Sequence, residues 1–416
     1  MKEKIHWSSF LQIAGGYIAF CIGSGFATGQ EILQFFTAFG WGSLGACAIT
    51  LVLFVWMGMS MTKIGKGSGL RTDRYVFRYY CGKSLGTFFE WFSFVYLFLC
   101  YGISVSALGS AAFEQFGINA IVAKLVLSVL AFVTVLMGVD RLLKLISLIG
   151  TLIIVFTLVV GIGGIVTGWA QLPLAMETAQ SLPIVRSSGN WALSGLLYGA
   201  FMAIVLVPYL VQLSHRAKNG RSAMWGGGAG GFLLILAVIC LNLGMMAHLT
   251  DIYDKDIPVL ALATDIHPMF GSLFAVLLLL GLFSSCLTKL IVLPQKFAQE
   301  HTPRYHVLCL VVIGAGLIMG FLPYAELVNR VYSFSGYLGI VLMACMFYRQ
   351  LIRKGNIAFY RQQEQQALGE STDGTLGSAE EEKSSSSSVG GASKVVSRDN
   401  GPNKLVRSAE SPEQPR

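Results

Sequence analysis

The sequence predicts an all-α integral membrane fold: ten transmembrane helices in two inverted five-helix repeats, with helices 1 and 6 broken. Three observations carry the membrane class, the count and the topology, and the inverted repeat follows if the ten divide into two homologous sets of five. The 416-residue chain is 54% hydrophobic and only 12% charged, with a mean hydropathy of +0.64, whereas about a quarter of the residues in soluble domains are charged. Ten apolar runs reach the roughly 20 residues that cross a bilayer. Basic residues crowd every second connection between those runs.

The runs lie near 10–36, 40–62, 86–112, 118–138, 142–168, 190–213, 225–249, 270–293, 305–323 and 327–348. Lys2 and Lys4 precede the first. Lys63, Lys66, Arg71, Arg74, Arg78 and Lys83 lie between the second and third. Arg141 and Lys144 follow the fourth, and Arg216, Lys218 and Arg221 follow the sixth. Lys296 and Arg304 join the eighth to the ninth, and Arg349, Arg353, Lys354 and Arg361 follow the tenth. The alternate connections are poor in basic residues; one carries Glu114 and another Asp251, Asp254, Lys255 and Asp256. Both termini are thereby expected in the cytoplasm.

The domain plan is a cytoplasmic N-terminus over 1–9, a transmembrane domain over 10–350 and a Ser/Glu-rich tail over 351–416. The tail holds Glu380, Glu381, Glu382 and a serine run from Ser384 to Ser388. It has too little apolar surface to fold, and disorder is expected. No cleavable signal peptide is expected, because the first run is long and ends in no small-residue cleavage pattern.

Several function classes drop out. The net charge of +8 collects at helix ends on one side, as a membrane protein requires, so no nucleic-acid partner is expected. The eight cysteines are scattered through apolar runs without a Cys-x-x-Cys pair and read as buried packing residues. No metal-ligand cluster, nucleophile–base pair or nucleotide loop stands out. Gly23-Ser24-Gly25 is too short for a phosphate loop. The chain does not read as an enzyme, and no cofactor is expected beyond a sodium ion as a coupling ion.

The first run contains the richest segment, Cys21-Ile22-Gly23-Ser24-Gly25-Phe26-Ala27-Thr28-Gly29-Gln30-Glu31. Each glycine in a helix interior costs about 1 kcal/mol relative to alanine. Unwound backbone at membrane depth is tolerated only against protein or a water-filled cavity. Broken helices of this kind form the solute and ion sites of secondary transporters. Five crossings per half make the halves inverted, so helix 6 corresponds to helix 1. A break is expected there near Phe201 to Leu206, ahead of Pro208.

In the eighth run, Ser284 and Ser285 are adjacent hydroxyls, open to reading as ion ligands or as bonds to carbonyls one turn back. Glu31 is a carboxylate inside a span, where charge is costly and usually faces a cavity. It reads as a gate, a proton carrier or a solute-binding group, with a structural hydrogen bond as the alternative. Asn242 reads as a helix-packing hydrogen bond. Tyr101 and Ser104 are candidate site-lining residues. Residues 257–263 suit a short helix, either a lid or a surface turn, with Pro258 in its first turn.

The segment Ile22 to Ile32, followed by Gln34-Phe35-Phe36, resembles the first-helix signature of the YkvI-like bacterial membrane proteins. These are similar in turn to the five-plus-five inverted-repeat (LeuT-type) group, which includes sodium–solute symporters and amino acid–polyamine–cation carriers. The resemblance covers about residues 5 to 350. It implies a multi-pass protein of the bacterial plasma membrane, a symporter for a small-molecule solute such as an amino acid. A solute-sensing receptor on the same fold is the alternative.

The resemblance also implies a sodium site between helices 1 and 8. Its ligands fall on the carbonyls of Ala19 and Ile22, on Gly281 or Leu280, and on Ser284 with Ser285 as the alternative. Phe283 departs from the pattern, where many members have a hydroxyl. Some proton-driven carriers of the group replace this ion by a lysine in mid-helix 5. The stretch Ser147 to Leu152 has none, and Lys144 lies too near the helix end, so sodium is the expected ion. The solute is expected at Gly23, Ser24, Gly25, Phe26, Tyr101, Phe201 and Met202.

Overall fold

The computed structural model describes residues 4–68, 73–137, 140–299, 302–351 and 362. The tail expected to be disordered lies outside the described residues, Leu351 and Gln362 apart. The side chains of 140–151, Lys144 among them, lie outside them as well.

The first run is α1 (Trp7–Cys21), α2 (Ser24–Thr28) and α3 (Gln30–Phe35). Then come α4 (Gly42–Ser68), α5 (Asp73–Phe116), α6 (Ala120–Met137), α7 (Asp140–Thr167) and α8 (Ala175–Ser181). The second half comprises α9 (Trp191–Ser214), α10 (Gly220–Ala247), α11 (Leu249–Ile252), α12 (Pro258–Ile266), α13 (Pro268–Gln295), α14 (Pro303–Gly320) and α15 (Tyr324–Leu351). Among the described residues there is no strand.

Among the described residues, α4, α5, α9, α10, α13, α14 and α15 are each long and apolar enough to cross a membrane. The other three runs are more irregular. The first is interrupted, the apolar part of α6 is Ala120–Leu136, and α7 bends by 95° into the segment ending in α8. Outward-facing Val126, Val129 and Leu130 on α6 are 59%, 63% and 48% exposed. Such a face suits lipid and would be a liability in water.

Local chemistry sets the helix starts. The Asn190, Asn219 and Thr302 side chains accept from Leu193 N (3.0 Å), Ser222 N (2.8 Å) and Tyr305 N (3.2 Å). These are N-caps that satisfy orphan donors. Pro258, Pro268 and Pro303 open α12, α13 and α14, where a missing N–H costs nothing. Within α5, Gly82 takes φ +77°. It separates the helical stretch from Asp73, expected to be loop, from the spanning stretch.

Packing follows the inverted-repeat plan. Taking α1–α3 as helix 1, then α4, α5, α6 and α7, and α9, α10, α13, α14 and α15 as helices 6 to 10, contacts recur when each helix is exchanged with its counterpart. α1 lies on α10 as α9 lies on α4; α5 meets α14 as α13 meets α6; α15 meets α5 as α7 meets α13. Two pairs break the rule: α7 packs along α10, whereas its counterpart α15 barely meets α4. α9 packs extensively along α15, while its counterpart α1 barely touches α7.

Small residues make the close approaches. A Cβ on Gly227 would run into the Gly58 carbonyl, and one on Gly231 would lie 2.7 Å from Phe54 O, so α10 and α4 touch backbone to backbone.

The expected break in helix 6 is corrected. α9 is helical from Trp191 to Ser214 with Pro208 inside it. A proline deletes one hydrogen bond and can kink a helix without unwinding it. The stretch Phe201 to Leu206 has no glycine to favour another conformation. Helix 1 differs because Gly23 and Gly29 flank α2, and Gly29 takes φ +87°.

Asn242 is fully buried and ties α10 to the first helix and α4. Thr37 Oγ1 donates to its Oδ1 (2.9 Å), and its Nδ2 donates to Ser43 Oγ (2.8 Å). Asn242→Ala is expected to cost about 1–3 kcal/mol, the price of unmade buried hydrogen bonds, measured by equilibrium unfolding in mixed detergent. A change below about 0.5 kcal/mol would deny the network a structural role.

Candidate solute site

Between α1 and α2 the helix stops. Gly23 N–H turns to Cys21 O (2.9 Å), rather than to Ala19 O four residues back as helical pairing requires. Around this break lies a cavity of about 390 Å³. It is lined by Ala19, Ile22, Gly23, Ser24 and Glu31 from the first helix, by Tyr96 and Cys100 of α5, and by Phe201 and Met202 of α9. Gly281, Ser284, Ser285 and Lys289 of α13 and Tyr332 of α15 complete it.

Glu31 is 2% exposed. The Tyr198 hydroxyl donates to its Oε2 (3.3 Å), and Tyr332 turns its hydroxyl toward the same carboxyl. The side chain folds over Gly25, where a Cβ would overlap it.

Opposite it, Lys289 Nζ donates to Ser104 Oγ of α5 (3.0 Å) and to Ser285 Oγ one turn back on α13. Ser104 Oγ also lies 3.1 Å from Ser24 Oγ, at the first-helix break. The ammonium thus joins helices 8 and 3 to helix 1 through hydroxyls.

The cavity is closed at one end. Tyr324 OH and Thr28 Oγ1 lie 2.7 Å apart, Gln30 Nε2 donates to Lys255 O (2.8 Å), and Gln34 Nε2 donates to Ala325 O (2.9 Å). α12 is a lid rather than a surface turn: Val259 and Leu262 are fully buried. A Cβ on Gly29 would stand 2.5 Å from Val259 Cγ2. The Glu114 carboxylate accepts from Asp256 N (2.7 Å) and Ile257 N (3.2 Å), fixing the lid's leading end.

At the other end the cavity continues past Phe20, Leu97, Val205, Tyr209 and Thr288 into a second space reaching Gln212, Gln295 and Lys296. That end belongs to the connections rich in Lys and Arg. Lys4 lies there too, its carbonyl accepting from Asn219 Nδ2 (2.8 Å). The slight α1–α7 contact sits on this open side, and the extensive α9–α15 seam accompanies closure on the other.

Of the residues expected at the site, Ala19, Ile22, Gly23, Ser24, Glu31, Phe201, Met202, Gly281, Ser284 and Ser285 line one cavity. Tyr101, Gly25 and Phe26 do not. Tyr101 lies against Gly316 of α14. Tyr96, Cys100 and Ser104 form a stripe at a spacing of four, and Tyr101 is rotated from it by about 100°. Gly25 serves to seat Glu31, and Phe26 joins the apolar core.

The sequence reading missed Lys289, Tyr96, Cys100, Tyr198 and Tyr332. Lys289 carried a usable signal: a charge within an apolar run, four residues after Ser285, as notable as Glu31. It is also the nearest thing to the lysine sought on helix 5, placed on helix 8.

No protein-family model matches the chain. It is 23% identical over 353 residues to the uncharacterized membrane protein YkvI of Bacillus subtilis (strain 168), covering 83% of this chain and 97% of that one. Among solved structures it is similar to two mutants of the manganese transporter of Eremococcus coleocola. Their TM-scores are 0.54 and 0.53 at 16% and 15% identity; they cover 81% and 82% of this chain, and it covers 78% of each. The chain therefore resembles the YkvI-like membrane proteins, as its first-helix motif implies, and shares an all-α membrane fold with these transporters.

Proposed function

We propose that this protein is a secondary active transporter that moves a small polar solute of the amino-acid class by alternating access. The observation that carries the reading is the cavity at the first-helix break, sealed by α12 and the α9–α15 seam and open toward the basic connections. With those connections in the cytoplasm of a bacterial cell, this is an inward-facing arrangement. An exchange of which seam is closed, α1–α7 for α9–α15, gives the opposite one.

The expected sodium ligands line the cavity, and Ser285, the alternative to Ser284, already holds the Lys289 ammonium. A sodium ion on the same hydroxyl would stand about 5 Å from that charge, a repulsion of about 3 kcal/mol at an effective dielectric of about 20. We therefore infer coupling to protons through Glu31 rather than to sodium. A divalent cation, the cargo named for the manganese transporters, meets the same obstacle and finds one carboxylate.

Reconstituted protein is expected to accumulate amino acids in vesicles under an imposed pH gradient, with uptake unchanged within about two-fold when choline replaces sodium. Absence of flux for every solute class would favour the receptor reading.

A further inference from the structure

Glu31 and Lys289 bring an acidic and a basic group into one cavity, and among the described residues neither is in ion-pair contact with any group. Each is held by neutral hydroxyls instead: Glu31 by Tyr198, with Tyr332 nearby, and Lys289 by Ser104 and Ser285. They sit on helices 1 and 8 and line the same cavity. Buried charges are usually paired, because an unpaired one is costly. Glu31 is buried and Lys289 half-buried; the partner is absent from both at once, and the cavity that both line has room for a small molecule.

We propose that Glu31 and Lys289 are the two poles of the solute site and that it takes a small zwitterion. The solute's carboxylate lies against Lys289 and its ammonium against Glu31. This rests on the reading of the cavity as a solute site. It deepens that reading by assigning charge recognition to side chains on helices 1 and 8.

The geometry supports the pairing in two further ways. Gly281, Ser285 and Lys289, at a spacing of four on α13, form a stripe along the cavity wall. Rejection follows from the same charges. A solute with only an amine leaves Lys289 unpaired and is repelled by it, and a solute with only a carboxylate meets Glu31 in the same way. Selectivity of this kind arises from repulsion as well as attraction.

The test uses the purified full-length protein in detergent at neutral pH and follows its thermal stability. The probes are a mixture of L-amino acids with uncharged side chains, the matching amino acid amides, which are cations, and the matching N-acetyl amino acids, which are anions. The zwitterions are expected to raise the melting temperature and to bind at least about ten-fold more tightly than either monopolar set, equally in sodium and choline buffers. Lys289→Met should lose that preference and favour the amides, and Lys289→Arg should keep it.

Equal stabilisation by all three sets, preference for a monopolar set, a strict sodium requirement, or no response to any set would each overturn the proposal. The wild-type arms decide the matter even if Lys289→Met fails to fold. Zwitterion binding without flux in vesicles upholds the two-pole site and overturns the transporter reading. Flux of monopolar solutes alone does the reverse.

Discussion

Glu31→Gln is expected to abolish pH-driven uptake while leaving the fold intact. Glutamine keeps the size and can still accept from Tyr198, so the closed end of the cavity retains its contacts. What is lost is the negative charge and its titration. Solute binding should weaken at least about ten-fold, equivalent to about 1.4 kcal/mol.

The sign of the wild-type pH dependence follows from competition. A proton and a solute ammonium both require the Glu31 carboxylate, so apparent affinity falls as pH is lowered. The glutamine variant should give a flat profile. The groups that face Glu31 are Cys21, Tyr96, Cys100, Tyr198, Lys289, Tyr324 and Tyr332. Among these Glu31 is the one carboxylate, so a low-pH response that survives in Glu31→Gln would have to arise outside the cavity and would make Glu31 a structural residue. Uptake and binding measured across an acidic pH series check this.

The second large effect concerns folding. Gly227→Val should destabilise the protein by about 3 kcal/mol or more, at the upper end of overpacking costs, read by unfolding in mixed detergent. A Cβ at Gly227 meets the backbone of Gly58 and lies 2.8 Å from Thr62 Oγ1. No side-chain rotation relieves a clash with backbone, so α4 and α10 must separate along their length. Gly314→Ala on α14 is the control. Nothing lies within 4 Å of its added Cβ, and removing a helix-interior glycine should be neutral or stabilising by up to about 1 kcal/mol. Equal tolerance of both changes would mean that the α4–α10 seam is not close-packed.

The first-helix break was legible because its chemistry is local. Gly23 and Gly29 lie within a few residues of the unwound segment and supply the conformations it needs. The membrane spans were legible because lipid imposes a length and a polarity on each. Helix 6 was misread because symmetry suggested a break for which its residues have little aptitude. Tyr101 was chosen by residue type, whereas helical phase selects Tyr96, Cys100 and Ser104. Tyr198 and Tyr332 reach Glu31 from α9 and α15, far away in sequence, and no local pattern announces such a meeting. Lys289 was overlooked because it stands near the end of an apolar run, where a lysine ordinarily reaches for the interface.

The unequal seams have a consequence for how affinity depends on the side from which solute arrives. Two chain halves of matching plan have settled with α9 tight against α15 and α1 loose beside α7. If this arrangement dominates the empty protein, solute on the open side meets a competent site at once. From the opposite side it binds only the minority of molecules in the other arrangement, and its apparent dissociation constant rises by the reciprocal of that fraction. A minor population of about 1% would make half-saturation about a hundred-fold higher on that side for an unchanged site. The packing of one helix pair would then tune the concentration range over which the protein operates on each face of the membrane, without altering any residue that touches the solute.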